Sequence, residues 1–135
     1  MFNDALAKDY LKRARSRLRA LEVLMEEESW ADVVREAQEI VEITLKALLR
    51  AYRIEVPRIH DVSPVIEQNS DRFPAETREQ LAEMMRISKS LRRDRELAFY
   101  GSEDLTPSEF YTTEDASTAL REAKWIHKAV SGAMK

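Results

Sequence analysis

The stretch WADVVREAQEIVEITLKALLRAY, residues 30 to 52, decides the fold. Its apolar residues recur at steps of three and four, the period of an α-helix. Together they cover a broad face made up of Trp30, Val33, Val34, Ala37, Val41, Leu45, Leu48, Leu49 and Tyr52. A helix with so wide an apolar face has to be covered from several sides. The stretch therefore predicts a helix at the centre of a helical bundle.

The same helical period continues on both sides of this stretch. It predicts a first helix over about residues 3–27, a short helix over 62–70, a long helix over 75–99 and a last helix that begins at Thr112 or Thr113. No segment of useful length shows the two-residue period of a strand. We therefore expect an all-α fold, an up-and-down bundle of four main helices plus one short helix.

Residues that favour helix ends mark several boundaries of this bundle. Ser29 is a candidate N-cap for the second helix, and Asp61 or Ser63 for the short one. Gly101 can adopt the positive φ that ends a helix. The segment 102–112 contains a proline and predicts a loop.

Composition limits the classes of protein to which the chain can belong. Its 135 residues suit a single domain, 1–135, and 44% hydrophobic with 35% charged residues is typical of a soluble globular protein. The absence of cysteine excludes disulfides and thiolate chemistry. A net charge of −3 argues against bulk attraction to nucleic acid. With no signal-like or membrane-length apolar run, we expect a cytoplasmic protein without membrane contact.

Metal and cofactor sites are not predicted. The two histidines, His60 and His127, belong to no spaced ligand motif, and a capping or surface role is the default for each. Glu36, Glu39 and Glu42 have the spacing of carboxylate-bridged helices, but the histidine that such di-iron bundles carry is missing. We interpret these glutamates as a solvated helix face.

Two basic stretches could bind an anion. One runs from Lys8 to Arg19; in the other, Arg86, Lys89 and Arg93 share a helix face beside RRDR, residues 92–95. Like charges at these spacings repel by a few tenths of a kcal/mol, so a solvated face paired with neighbouring glutamates is one interpretation. The other is a phosphate site, because arginine presents a planar fork of donors and the cluster abuts a helix end.

Four segments, in order, resemble the HEPN domain family: QEIVEITLKALLRAYRI (38–54), IHDVSPVIE (59–67), LRRDRELAFYG (91–101) and YTTEDASTALREAKWIHKAV (111–130). The features that match are Glu42 and Lys46 in a core helix, His60 before the short helix, and an arginine-rich helix end. The resemblance covers residues 5 to 133. It implies a helical bundle that is usually a homodimer.

The resemblance also implies a site. Many members are metal-independent endoribonucleases with an Arg–polar–His motif, whereas others pair with a small nucleotidyltransferase as toxin and antitoxin. Arg93 matches the arginine and Asp94 the polar position, with Arg95 and Glu96 as an alternative register. The histidine is replaced near Tyr100, a poor proton acceptor at neutral pH.

Three functional hypotheses remain open. The first is a dimeric binding module, with no assigned catalytic residue, that recognises nucleotide or RNA phosphate through Arg92, Arg93, Arg95 and the Tyr100 hydroxyl. In it, Asp94 orients a guanidinium, while Phe99 and Tyr100 hold the helix end. The alternatives are a metal-independent endoribonuclease, which uses Tyr100 or a distant histidine, and a purely structural bundle. By resemblance, Tyr100 could also accept a nucleotidyl group from a partner enzyme.

Overall fold

The computed structural model describes residues 4–58, 61–93, 98, 100–101 and 106–134. Within these residues the regular structure is helical throughout, with no strand, which confirms the all-α prediction. The α-helices are α1 (Asp4–Glu26), α2 (Trp30–Ala51), α3 (Ser63–Gln68), α4 (Ala75–Arg93), α5 (Pro107–Phe110) and α6 (Thr113–Ala133), and a 3₁₀ turn (Ser70–Arg72) joins α3 to α4.

Helix α2 is the centre of the bundle, as its wide apolar face predicts. It packs against α1, α4 and α6, and of its residues only Asp32 is exposed. Its innermost side chains include Ile40, Leu45 and Leu48, each fully buried. At about 25 cal/mol per Å² of apolar surface removed from water, the burial of these side chains contributes much of the stability of the fold.

Contacts at one end of the bundle fix the direction of the long helices. The Arg50 guanidinium, at the end of α2, lies 5.5 Å from the centre of the Tyr10 ring, near the start of α1. The Tyr52 hydroxyl donates to the carbonyl oxygen of Ala133, the last residue of α6, over 2.5 Å. Helices α1 and α2 are therefore antiparallel, whereas α2 and α6 run in the same direction.

The remaining long helix, α4, begins at this same end of the bundle. Pro74, just before α4, and Ala133 line one groove of about 560 Å³. Leu81, Met84, Met85, Ser88 and Leu91 of this helix are all buried. Helices α4 and α6 are thus antiparallel, and the bundle has the predicted up-and-down order.

Local signals at the helix ends are confirmed in part. Thr112 caps α6 in a full capping box: its side chain accepts from the Asp115 backbone N–H, and Asp115 accepts from the Thr112 backbone N–H. Gly101 has a φ of 80°, the left-handed conformation predicted for it. Ser29 does precede α2, but its hydroxyl donates to Asp32 over 2.6 Å and does not cap the backbone.

Two boundary predictions need correction. The segment predicted as a loop up to Thr112 contains the short helix α5, because Pro107 stands at its first position and the Thr106 side chain accepts from the Glu109 backbone N–H. At α3, Val62 holds the N-cap position without a side-chain cap. Asp61 instead accepts from the Ser63 backbone N–H over 3.0 Å.

Candidate phosphate-binding site

Apolar contacts with the core hold the arginine-rich end of α4. Leu91 is buried at the last turn of α4, and Ala98 is almost fully buried beyond it. These two buried residues anchor the chain against the core on either side of residues 94–97. The Tyr100 side chain, which the sequence predicts to hold this end, is 76% exposed.

Arg92 and Arg93 have different surroundings at this end. The Arg92 guanidinium is about one quarter exposed and lies 3.0 Å from the Asp61 carboxylate. Arg93, the next residue, is exposed. Asp61 precedes α3, so this ion pair joins the connection between α2 and α3 to the end of α4. One guanidinium is thereby fixed in place, and its neighbour faces solvent.

Several predicted site residues lie outside the described residues. They are Asp94, Arg95, Glu96 and Phe99 from the motif and His60 from the connection before α3. The structure thus brings Arg92 and Arg93 together and leaves the motif partners in that segment as sequence-based expectations.

Arg86 lies on the exposed side of α4, and two carboxylates already neutralise its charge. Its guanidinium bonds Glu83 on the same helix through Nε at 2.8 Å, and Glu122 on α6 at 2.5 Å. Hydrogen bonding to both carboxylates raises the pKa of Arg86 above its ordinary value. For this residue the interpretation as a paired surface cation is confirmed.

His127 lies far from the arginine-rich end. Its Nε2 atom is 3.0 Å from the Leu11 carbonyl oxygen, which places the ring between α6 and α1. The neighbouring Lys128 lines the same groove as Pro74, at the start of α4. Arg93 ends that helix, 18 residues later and about 27 Å along the axis. His127 therefore cannot act as a proton carrier beside Arg93 within one subunit.

Comparison with known proteins identifies the family. A family model of the HEPN domain matches residues 7–133. The chain belongs to the HEPN domain family. No curated protein and no solved structure shows significant similarity to it. At the level of the family, this HEPN domain is a nucleotide- or RNA-related binding module.

The HEPN core helix carries a polar cluster whose burial was not predicted. The Glu42 side chain is only 9% exposed and accepts from Lys46 Nζ at 3.2 Å and from Gln38 Nε2 at 3.3 Å. The interpretation of Glu42 as part of a solvated face is therefore wrong. A signal was present in the sequence, since Gln38, Glu42 and Lys46 follow one another at i, i+4 and i+8, but the wide apolar face hid it. The cluster fixes neighbouring turns of α2 to one another.

In the described part of this HEPN domain, no group of three or more His, Cys, Asp or Glu residues is arranged to hold a metal ion. None of the described helices combines the length and apolar character required to cross a bilayer.

Proposed function

We propose that this HEPN domain binds the phosphate of a nucleotide or RNA at the end of α4, through Arg92, Arg93 and Arg95, with Tyr100 beside them. One observation carries the proposal. Arg93 is exposed next to an arginine fixed by Asp61, whereas Arg86 on the same helix already has two carboxylate partners. On α4, Arg86 is thus already neutralised by carboxylates, whereas Arg93 stands exposed at the helix end.

The chemistry of these groups suits a phosphate. A guanidinium presents its N–H donors in a planar fork that matches two phosphate oxygens, and such charge-assisted bonds contribute about 1.5–3 kcal/mol. The ion pair with Asp61 restrains Arg92, so less side-chain entropy is lost when a ligand binds. The exposed Tyr100 offers a hydroxyl that donates to a further phosphate oxygen.

Binding without catalysis is the function we favour for this site. Tyr100 stands near the position of the motif histidine, and a phenol with a pKa near 10 is a poor base at neutral pH. We also propose that the domain acts as a homodimer and pairs with a small nucleotidyltransferase, in line with the resemblance. Sedimentation of the purified chain, alone and with such an enzyme, tests both assemblies.

Titration of a fluorescent nucleotide and a short RNA against the purified protein tests the site. The Arg93→Ala/Arg95→Ala variant should bind at least about tenfold more weakly, with unchanged helical circular dichroism. The matched control is Arg13→Ala/Arg58→Ala, which removes two exposed cations on α1 and in the connection after α2. Equal affinities for the two variants, or no binding by the unmutated protein, would contradict the proposal. Cleavage of RNA by the unmutated protein would show that the endoribonuclease alternative is correct.

A further inference from the structure

A band of cations runs along the solvent side of α1. Its four members are exposed and follow one another at steps of four, three and four residues: Lys8, Lys12, Arg15 and Arg19. Residues at these steps share one face of a helix. At 1.5 Å per residue the band extends about 16 Å along the axis. It is therefore a row of charges and not a single point of charge.

Glu22 joins this band to α6. Its carboxylate oxygens lie 3.9 Å from Arg19 Nε and 3.7 Å from Lys124 Nζ, so cations of both helices meet at one group. Lys128 is exposed and follows Lys124 by four residues, on the same side of α6. Because α1 and α6 are antiparallel, Lys128 continues the surface toward the start of α1. We define the basic face as Lys8, Lys12, Arg15, Arg19, Lys124 and Lys128.

The basic face is unusual in a chain whose net charge is −3. Cations three and four residues apart on a helix repel one another and weaken the helix. Glu22 and Glu26 occupy the next positions of this face after Arg19. Acidic residues could therefore also have alternated with the cations of the band. Glu22 offsets part of this repulsion at the end of the band, and an anionic partner would offset the repulsion between the cations in its middle.

The absence of an apolar centre indicates the kind of partner. Interfaces between proteins generally have an apolar core with a polar rim. Of the large hydrophobic side chains exposed in the described part of the chain, Tyr100 and Phe110 lie on other segments, and Val23 follows Arg19 at one end of the band and not in its middle. Regularly spaced lysines and arginines without an apolar centre suit a phosphodiester backbone, whose charges are themselves regularly spaced.

We propose that the basic face binds the phosphodiester backbone of a polynucleotide, without dependence on base sequence. The inference goes beyond the proposed function, because it adds a second surface and names a strand of several nucleotides as its ligand. Contact with such a strand releases condensed counterions, so affinity falls with salt concentration in proportion to the number of phosphates neutralised.

The test compares two double variants in the full chain. Lys12→Gln/Arg15→Gln removes two cations from the middle of the basic face. Arg13→Gln/Arg58→Gln removes two exposed cations elsewhere, since Arg13 is two residues from Arg15 and faces another side of α1. The probe is a fluorescent RNA of about twenty nucleotides, titrated over a range of salt concentrations, with a mononucleotide titrated in parallel.

We expect the Lys12/Arg15 variant to bind the RNA roughly tenfold more weakly at low salt. The slope of log affinity against log salt should fall by about 1.4, or 0.7 for each cation removed. Its affinity for the mononucleotide should not change, and the Arg13/Arg58 control should retain both affinities. Circular dichroism confirms that each variant folds. An unchanged slope, or equal losses in the two variants, would overturn the inference.

Two further arms separate the possible failures. Polyglutamate that binds as tightly as RNA, with the same dependence on Lys12 and Arg15, would show a surface for acidic proteins and overturn the inference. Dependence on Arg93 and Arg95 without dependence on the basic face would leave the proposed function intact and refute this inference alone. The reverse pattern would support the basic face and refute the α4 site.

Discussion

The guanidinium of Arg92 and the carboxylate of Asp61 lie 3.0 Å apart, and they join the end of α4 to the connection that precedes α3. The pair places one negative charge beside the arginines at which we propose that phosphate binds. A carboxylate there competes with an incoming anion for the guanidinium. At separations near 4 Å each such charge is worth about 1 kcal/mol in water.

Replacement of Asp61 by asparagine should therefore raise the affinity of the site for a nucleotide. We expect a gain of several-fold, because about 1 kcal/mol of repulsion is removed, and a loss of at most about 1 kcal/mol in the free energy of unfolding. Calorimetric titration measures the affinity for the nucleotide, and chemical denaturation measures the free energy of unfolding. Asp71→Asn, at an exposed carboxylate of the 3₁₀ turn, is the control. Weaker binding by the Asp61 variant would show that the carboxylate positions Arg92 for the ligand.

The buried Glu42 of α2 should matter more to stability than the half-buried Glu39 on the same helix. Glu42→Ala leaves Gln38 and Lys46 without their shared acceptor, and we expect a loss of about 1–3 kcal/mol in the free energy of unfolding. Glu39→Ala is the matched control, since Glu39 pairs with Arg35 on the same helix at the same spacing but is 25% exposed. That change should cost less than about 1 kcal/mol. Urea denaturation of both variants measures the two losses in the free energy of unfolding. Equal losses would mean that the burial of Glu42 contributes nothing to stability.

The hydrogen bond between α2 and α6 should make stability depend on alkaline pH. Tyr52→Phe removes the bond to the Ala133 carbonyl and should lower the free energy of unfolding by about 1 kcal/mol at pH 7. Burial raises the pKa of the Tyr52 hydroxyl above its ordinary value of 10.0. Folding thus favours the protonated hydroxyl, and this contribution is fully present below pH 10.0 and is lost as the pH rises through the raised pKa.

The difference between the unmutated protein and Tyr52→Phe should therefore shrink above about pH 10. Thermal unfolding measured across that range checks the trend. Tyr100→Phe, at an exposed tyrosine, provides the control and should show no such change. A difference that stayed constant with pH would mean that Tyr52 does not titrate differently in the folded state.

The surface pair of α4 should respond to acid. A hydrogen bond from Arg86 lowers the pKa of Glu83 below its ordinary value of 4.5. The stabilisation is therefore present above pH 4.5 and is lost as the pH falls through the lowered pKa. Glu83→Gln should have a slightly lower melting temperature than the unmutated protein at neutral pH and the same one in strong acid. Glu79→Gln, at an exposed residue one turn earlier, should have the melting temperature of the unmutated protein both at neutral pH and in strong acid.

The helices and several of their ends could be predicted from the sequence because the interactions that specify them are local. The apolar period of α2 spans adjacent turns, and the Thr112–Asp115 capping box closes within four residues. The left-handed φ of Gly101 likewise follows from the residue itself. The same locality explains the failure at α5, since a four-residue helix is too short to show a period.

Which side chains meet was decided only by the tertiary structure. Arg92 and Asp61 are 31 residues apart, and Lys124 reaches Glu22 across the contact between α6 and α1. A helical period shows which face of a helix is apolar, but not which helix covers that face or which charges then lie side by side. The sequence by itself therefore determined the helices and the candidate arginines. Packing decided that Arg86 is neutralised, that Glu42 is buried, and that the cations of α1 and α6 form one surface.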